Sequence, residues 1–201
     1  MKNLKVVFGL VLLSICLLSF IKKNKSVKQQ NKSYELIVSD LTIPWGFTFL
    51  PDNSMLITEK EGKLIHFING EKINITGLPK IKEQGQGGFM DIELHPNYKK
   101  TGWIYFTYAS DSGMGKGANT TLMRARLKDT RLINQEVLYK ASPNTKRGQH
   151  FGARIAFDRK GYLYFSIGDR GNRDENPQDI TRDGGKIYRL YDDGRIPKDN
   201  P

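Results

Sequence analysis

An all-β chain made of repeated small sheets is the fold class this sequence predicts, and three observations predict it. Apolar and polar residues alternate in short runs. Turn residues close those runs. The same strand–turn–strand unit then recurs three times along the chain. No stretch sustains a helical apolar period over about twelve residues.

The elements follow in order. Tyr34 to Val38 reads as a first strand. Trp45-Gly46-Phe47-Thr48-Phe49-Leu50 is the next, closed by Pro51-Asp52-Asn53. Proline presets φ there, and short Asp and Asn side chains bond back to their own backbone. Ser54 to Glu59 follows, then the turn Lys60-Glu61-Gly62, then Lys63 to Phe67. Asn69-Gly70 is a hairpin signal because both residues tolerate positive φ, and Lys72 to Thr76 returns from it.

The pattern of Gly46 to Glu59 returns in Met90 to Tyr98 with Gly102 to Tyr108, and again in Ala153 to Asp169. Each copy is followed by a third strand: Leu64 to Phe67, Thr121 to Arg126, and Lys186 to Leu190. The copies lie 45 residues apart from Pro51 to Pro96, and 63 apart from Pro96 to Arg159. A repeat of about 40–50 residues with four short strands marks a propeller blade. The longer interval predicts an insertion near Ser110 to Thr120. About three blades are represented, whereas a closed propeller needs roughly four to eight. The expectation is therefore that these residues are the N-terminal part of a longer protein.

The charge needs dividing before use. The formal net charge is +11, yet residues 1–32 hold seven lysines and no acids, leaving 25 basic residues against 21 acidic ones. Phosphate binding needs a basic patch on the folded body, so nucleic acid is not an expected partner. Lys2 and Lys5 precede Val6 to Ile21, sixteen residues without a charge, which is the form of an export signal. No Ala-x-Ala site follows, and the run is short against the ~20 residues that cross a bilayer. The reading is a signal peptide or N-terminal anchor over 1–21, a polar linker over 22–33, and a partial propeller over 34–201. Any membrane link runs through that first segment. Cys16 is the single cysteine, so an exported body carries no disulfide.

The chemistry concentrates in two short motifs. Gly148-Gln149-His150-Phe151-Gly152-Ala153-Arg154 places a histidine in a turn before a strand. Ser166-Ile167-Gly168-Asp169-Arg170-Gly171 places an aspartate at the end of the next strand. A histidine held in one tautomer by a carboxylate is what proton abstraction from a hydroxyl requires. Gly85-Gln86-Gly87-Gly88 lacks the Lys-Ser/Thr of a phosphate loop and reads as a bend between blades. His95 before Pro96 reads as a turn residue, His66 as a strand residue without chemistry, and Trp45 and Trp103 as core anchors. Arg154 reads as a structural partner for an acid beneath the site.

From Leu41 to Pro201 the chain resembles the soluble, pyrroloquinoline-quinone (PQQ)-dependent aldose sugar dehydrogenases, grouped with the glucose and sorbosone dehydrogenases. The resemblance rests on the order and spacing of Gly85-Gln86-Gly87-Gly88, His95-Pro96, His150 to Arg154, Gly168-Asp169-Arg170-Gly171, Gly185-Lys186-Ile187, and Asp193 to Pro201. It implies a six-bladed propeller. It implies that His150 is the catalytic base, that Asp169 orients it, and that Gln86, Gln149, Arg170 and Asn172 lie by the cofactor. Gln149 stands where relatives carry an acid, and Asp174 where the glucose-specific branch has a glutamine. The resemblance also implies a calcium ion beside the quinone, with ligands beyond this chain, as are several cofactor-binding cations. Little turnover is accordingly expected of the 201 residues alone. The implied activity is oxidation of an aldose at its anomeric carbon, with hydride passing to the quinone and electrons to a respiratory acceptor in the periplasm. Two other classes remain at this stage: a metal-dependent propeller hydrolase such as a lactonase, and a binding propeller without catalysis.

Overall fold

Alternation along the strands sets the architecture. The computed structural model describes residues 34–200, so the export segment and linker expected over 1–33 lie outside the described residues. Three antiparallel meanders follow one another. The first holds β1 (Pro44–Phe49), β2 (Met55–Glu59), β3 (Lys63–Ile68) and β4 (Glu71–Ile75), paired in that order. The second holds β5 (Phe89–Leu94), β6 (Trp103–Ser110), β7 (Asn119–Lys128) and β8 (Arg131–Lys140), with the one-turn helix α1 (Tyr98–Thr101) between β5 and β6. The third has β10 (Leu163–Ile167) between β9 (Gly152–Phe157) and β11 (Lys186–Leu190). These are three blades of a β-propeller, as the repeat predicts.

The turns form for local reasons. Between β1 and β2 the Asp52 carboxylate accepts the Ser54 N–H at 3.0 Å, and Asn53 takes φ 68°. Between β3 and β4 Asn69 and Gly70 adopt φ 52° and 82°, the two positive values a tight hairpin needs. α1 stops at Gly102, whose N–H bonds Tyr98 O at 2.7 Å.

The core lies between the sheets. Leu56 and Leu64 of the first sheet meet Phe89, Ile92, Ile104, Phe106 and Tyr108 of the second. Trp103, Tyr105 and Leu122, on the opposite face of the second sheet, meet Ile155, Leu163, Phe165 and Ile167 of the third. Period-two alternation thus sends neighbouring residues of β6 into different cores, and all eight of its residues are buried. Each such large apolar side chain contributes about 1.5–3 kcal/mol. A smaller cluster of Met90, Ala109, Ala118, Phe151 and Ala153 sits at the end of the blades that carries the site.

The structure corrects three expectations. Tyr34 to Val38 is not a strand, and Tyr34, Leu36 and Ile37 are exposed; alternation alone does not make a strand. The insertion is narrower than Ser110 to Thr120, because β6 runs through Ser110 and β7 starts at Asn119. The extra length is partly spent in β7 and β8, ten residues each. Trp45 is not a core anchor: it is 36% exposed on β1, an edge strand of the first sheet, whereas Trp103 is buried between Arg124 and Arg126, each 4.2 Å from its ring.

Candidate active site

Strand pairing brings the two motifs together. β9 and β10 are antiparallel neighbours with Gly152 opposite Ile167. The residue two before β9 and the residue two after β10 therefore emerge at the same end of the blade. These are His150 and Asp169. Their side chains meet, with His150 Nδ1 2.7 Å from Asp169 Oδ1. The same carboxylate oxygen accepts the Gly171 N–H at 2.6 Å. Hydrogen bonding to His150, ahead of the opposing effect of burial, holds the Asp169 carboxyl below its usual range. The carboxylate is therefore ionised at neutral pH and can only accept. Nδ1 must carry the proton, which leaves the lone pair of a neutral ring on Nε2.

The backbone around His150 is unusual. His150 has φ 54° and Ala153 φ 95°, both in the left-handed region. Three contacts hold this turn. The Gln86 Oε1 accepts the His150 N–H at 2.8 Å, the Thr120 hydroxyl donates to Phe151 O at 2.7 Å, and the Thr107 hydroxyl donates to Ala153 O at 2.9 Å. All three come from the second blade or the bend before it. Gly168 also passes close: a Cβ there would lie 2.2 Å from His150 O.

The Arg170 guanidinium is turned inward beneath the loop. It is 1% exposed and its Cζ lies 3.4 Å from the centre of the Phe151 ring. It donates to Arg147 O at 2.8 Å, to Ala118 O and Thr145 Oγ1 at 3.3 Å, and to Gln149 O. Burial pushes it down to about 10. The structure thus gives Arg170 a supporting position rather than one on the open face.

The open face is a hollow of about 440 Å³ lined by His150, Asp169, Gln149, Asn172, Gly171, Arg147, Arg173 and Asp174. Of the six residues singled out from the sequence, four line this hollow. Gln86 stands behind His150, and Arg170 lies underneath. Reading the sequence missed Arg147, whose guanidinium donates to Gly171 O and crosses from one loop to the other. It also missed Asp91. This residue of β5 is buried, accepts the Ile155 N–H at 2.7 Å and pairs with Arg154 at 3.3 Å. Burial raises its pKa. Asp91 is the acid that the reading of Arg154 called for. His95 ends β5 as expected, its Nδ1 accepting the Asn97 N–H at 2.9 Å. Among the described residues no three His, Cys, Asp or Glu side chains come together as a metal cluster.

Comparison with known proteins gives the family. The glucose/sorbosone dehydrogenase family model matches residues 41–201. The chain belongs to that family. It is 36% identical over 172 residues to the aldose sugar dehydrogenase YliI of Escherichia coli, covering 83% of this chain and 46% of that protein. It is 28% identical over 203 residues to quinoprotein glucose dehydrogenase B of Acinetobacter calcoaceticus, covering 87% of this chain and 42% of that one. Among solved structures, the apo soluble aldose sugar dehydrogenase of E. coli superposes with a TM-score of 0.76 at 35% identity, over 83% of this chain and 49% of the other. The PQQ-bound aldose sugar dehydrogenase of Streptomyces coelicolor gives 0.73 at 26%, over 83% and 50%. The chain spans about half the length of the relatives it matches.

Proposed function

We propose that these residues form the proton-accepting side of a quinoprotein active site that oxidises aldose sugars to lactones. The observation that carries this reading is the 2.7 Å contact between His150 Nδ1 and Asp169 at the edge of an open hollow. It leaves Nε2 as the basic nitrogen for a substrate hydroxyl. His150 would take the proton from the anomeric hydroxyl, and the ionised Asp169 would stabilise the imidazolium that results. A planar, anionic quinone suits the donors around the hollow, namely the Gln149 and Asn172 amides and the Arg147 and Arg173 guanidinium groups. When bound, PQQ would supply the two-electron oxidant that accepts the C1 hydride. The chain's own residues place the sugar, hold the tautomer and take the proton. The E. coli and A. calcoaceticus relatives named for sugar oxidation, and the PQQ-bound S. coelicolor structure, support this choice over a lactonase or a binding module. Export to the periplasm, a calcium ion beside the quinone with ligands outside these residues, and a respiratory electron acceptor belong to the same proposal.

The test is to express a full-length protein carrying these residues, load it with PQQ and calcium, and follow dye reduction by glucose. His150→Ala should lower kcat by about 10²–10⁴, the usual contribution of a positioned base. Wild-type rates in that variant would remove His150 from the mechanism. Lactone hydrolysis without quinone would move the protein to the hydrolase class.

A further inference from the structure

The ladders of the three blades are irregular at one recurring place. In each blade the first strand, near its start, carries one residue more than its partner. Trp45 is the extra residue in β1, between the pairs Pro44–Glu59 and Gly46–Thr58. Met90 and Asp91 of β5 together oppose Thr107 of β6. Ala153 and Arg154 of β9 together oppose Ser166 of β10. A bulge of this kind leaves backbone groups without ladder partners and re-aims the side chains around it.

Threonine hydroxyls join these bulges from blade to blade. Thr58 of β2 accepts the Gly46 N–H at 3.0 Å and donates to Met90 O of the second blade at 2.6 Å. Thr107 repeats the arrangement one blade on. It accepts the Asp91 N–H at 3.1 Å, and its own hydrogen goes to Ala153 O of the third blade at 2.9 Å. Both threonines are fully buried. Asp91 adds a second tie beside Thr107, accepting the Ile155 N–H at 2.7 Å.

The two junctions differ in what lies next to the locked carbonyl. At the second, Ala153 stands three residues after His150. Ala153 has φ 95° and His150 φ 54°. Such conformations persist only where surrounding contacts over-determine them. The Ala153 side chain gives little hold, being one methyl in an apolar cluster with Met90, Ala109, Ala118 and Phe151. The Thr107 hydroxyl holds the Ala153 carbonyl instead. A valine would fill the same space without the donor. Ala153 would then relax toward an ordinary φ. The chain before it would turn and carry the His150 ring away from Asp169.

We propose that Thr107 is a positioning residue for His150. Its hydroxyl links the bulges of the second and third blades and so sets the direction in which the histidine leaves the sheet. Thr58 makes the equivalent link one blade away and has no such role. The effect of Thr107 on turnover rests on the sugar-oxidising reading; its effect on the His150 ring does not.

The test compares Thr107→Val, Thr107→Ser and Thr58→Val. The ring is followed by nitrogen NMR of the histidine-labelled 201-residue chain at pH ~8, above the ordinary histidine range. The chain holds three histidines, and His150→Ala identifies the signal. Wild type and Thr58→Val should show His150 as one tautomer, protonated at Nδ1. Thr107→Val should show a mixture, and Thr107→Ser should return to one. Both valine variants should melt below wild type. Turnover is followed by dye reduction in the full-length protein loaded with PQQ and calcium. There Thr107→Val should lower kcat by about 10–10², the scale of a misplaced reacting group, with little change in KM. Thr107→Ser should recover most of that loss, and Thr58→Val should keep the wild-type kcat. A single tautomer in Thr107→Val overturns the proposal, as does a serine variant that recovers nothing. So does an equal kcat loss in Thr58→Val, which would mean a structural role only. Should the wild type oxidise no sugar, the sugar-oxidising reading fails while the ring signal still decides for Thr107. Should Thr107→Val fail to fold, Thr107→Ala removes the donor without adding a methyl and is read in its place.

Discussion

Asp169 shows how one carboxylate does two things. It fixes the tautomer of His150, and it ties down the next turn through Gly171. Its pKa is lowered in the folded chain, chiefly by the bond to His150. That stabilisation is present above the ordinary carboxylate range near 3.8 and is lost as pH falls through the lowered folded value. Asp169→Asn should therefore melt below wild type at pH 7, and the gap should close on acidification below pH ~4; a gap constant with pH would contradict the assignment. His150 and Asp169 were legible in the sequence because a histidine before one strand and an aspartate after its neighbour need only antiparallel pairing to meet. The direction of Arg170 was not legible. Its burial depends on the Phe151 ring and on acceptors at Ala118, Thr145, Arg147 and Gln149. No local pattern encodes that convergence. A basic residue in a polar loop reads as surface until those partners are known.

Elements succeed or fail by how closely they pass. Gly168 links β10 to Asp169, and its missing side chain lets His150 O approach. Gly168→Ala should cost about 1–3 kcal/mol, the usual range for overpacking. It should also lengthen the His150–Asp169 contact, measurable as a lower urea midpoint with a shifted histidine signal. Gly85 has φ +59°, and a Cβ there would lie 2.1 Å from Gly148 O. The glycine bend is thus a close crossing between loops, consistent with the bend read from the sequence. In β6, Phe106 is fully buried and packs edge-on against Phe89, with ring centres 5.3 Å apart. Phe106→Ala should destabilise by about 3–5 kcal/mol in denaturant titration. Strands with a short, nearly continuous apolar run between turn residues, such as β2 and β6, were readable. β8 was not, because its run Arg131–Lys140 mixes polar and apolar residues without a regular period and is half-exposed. Its place is set by pairing with β7, not by its own periodicity.

At the scale of the molecule the three sheets differ in what covers them. The second sheet is packed on both faces. The first leaves Phe47 and Phe49 about 60% exposed, and the third leaves Ile187 79% exposed. Apolar residues exposed together invite association. The 201-residue chain is accordingly expected to self-associate with concentration in sedimentation experiments. Phe47→Lys with Phe49→Lys should shift it toward monomer; a monomer at all concentrations in the unmodified chain would count against that role.

The burial of every residue in β6 bears on how the protein comes apart. Its amides lie between two cores, so no fraying at a sheet edge can reach them. Deuterium should enter those positions last, and at a rate that tracks global opening rather than local breathing.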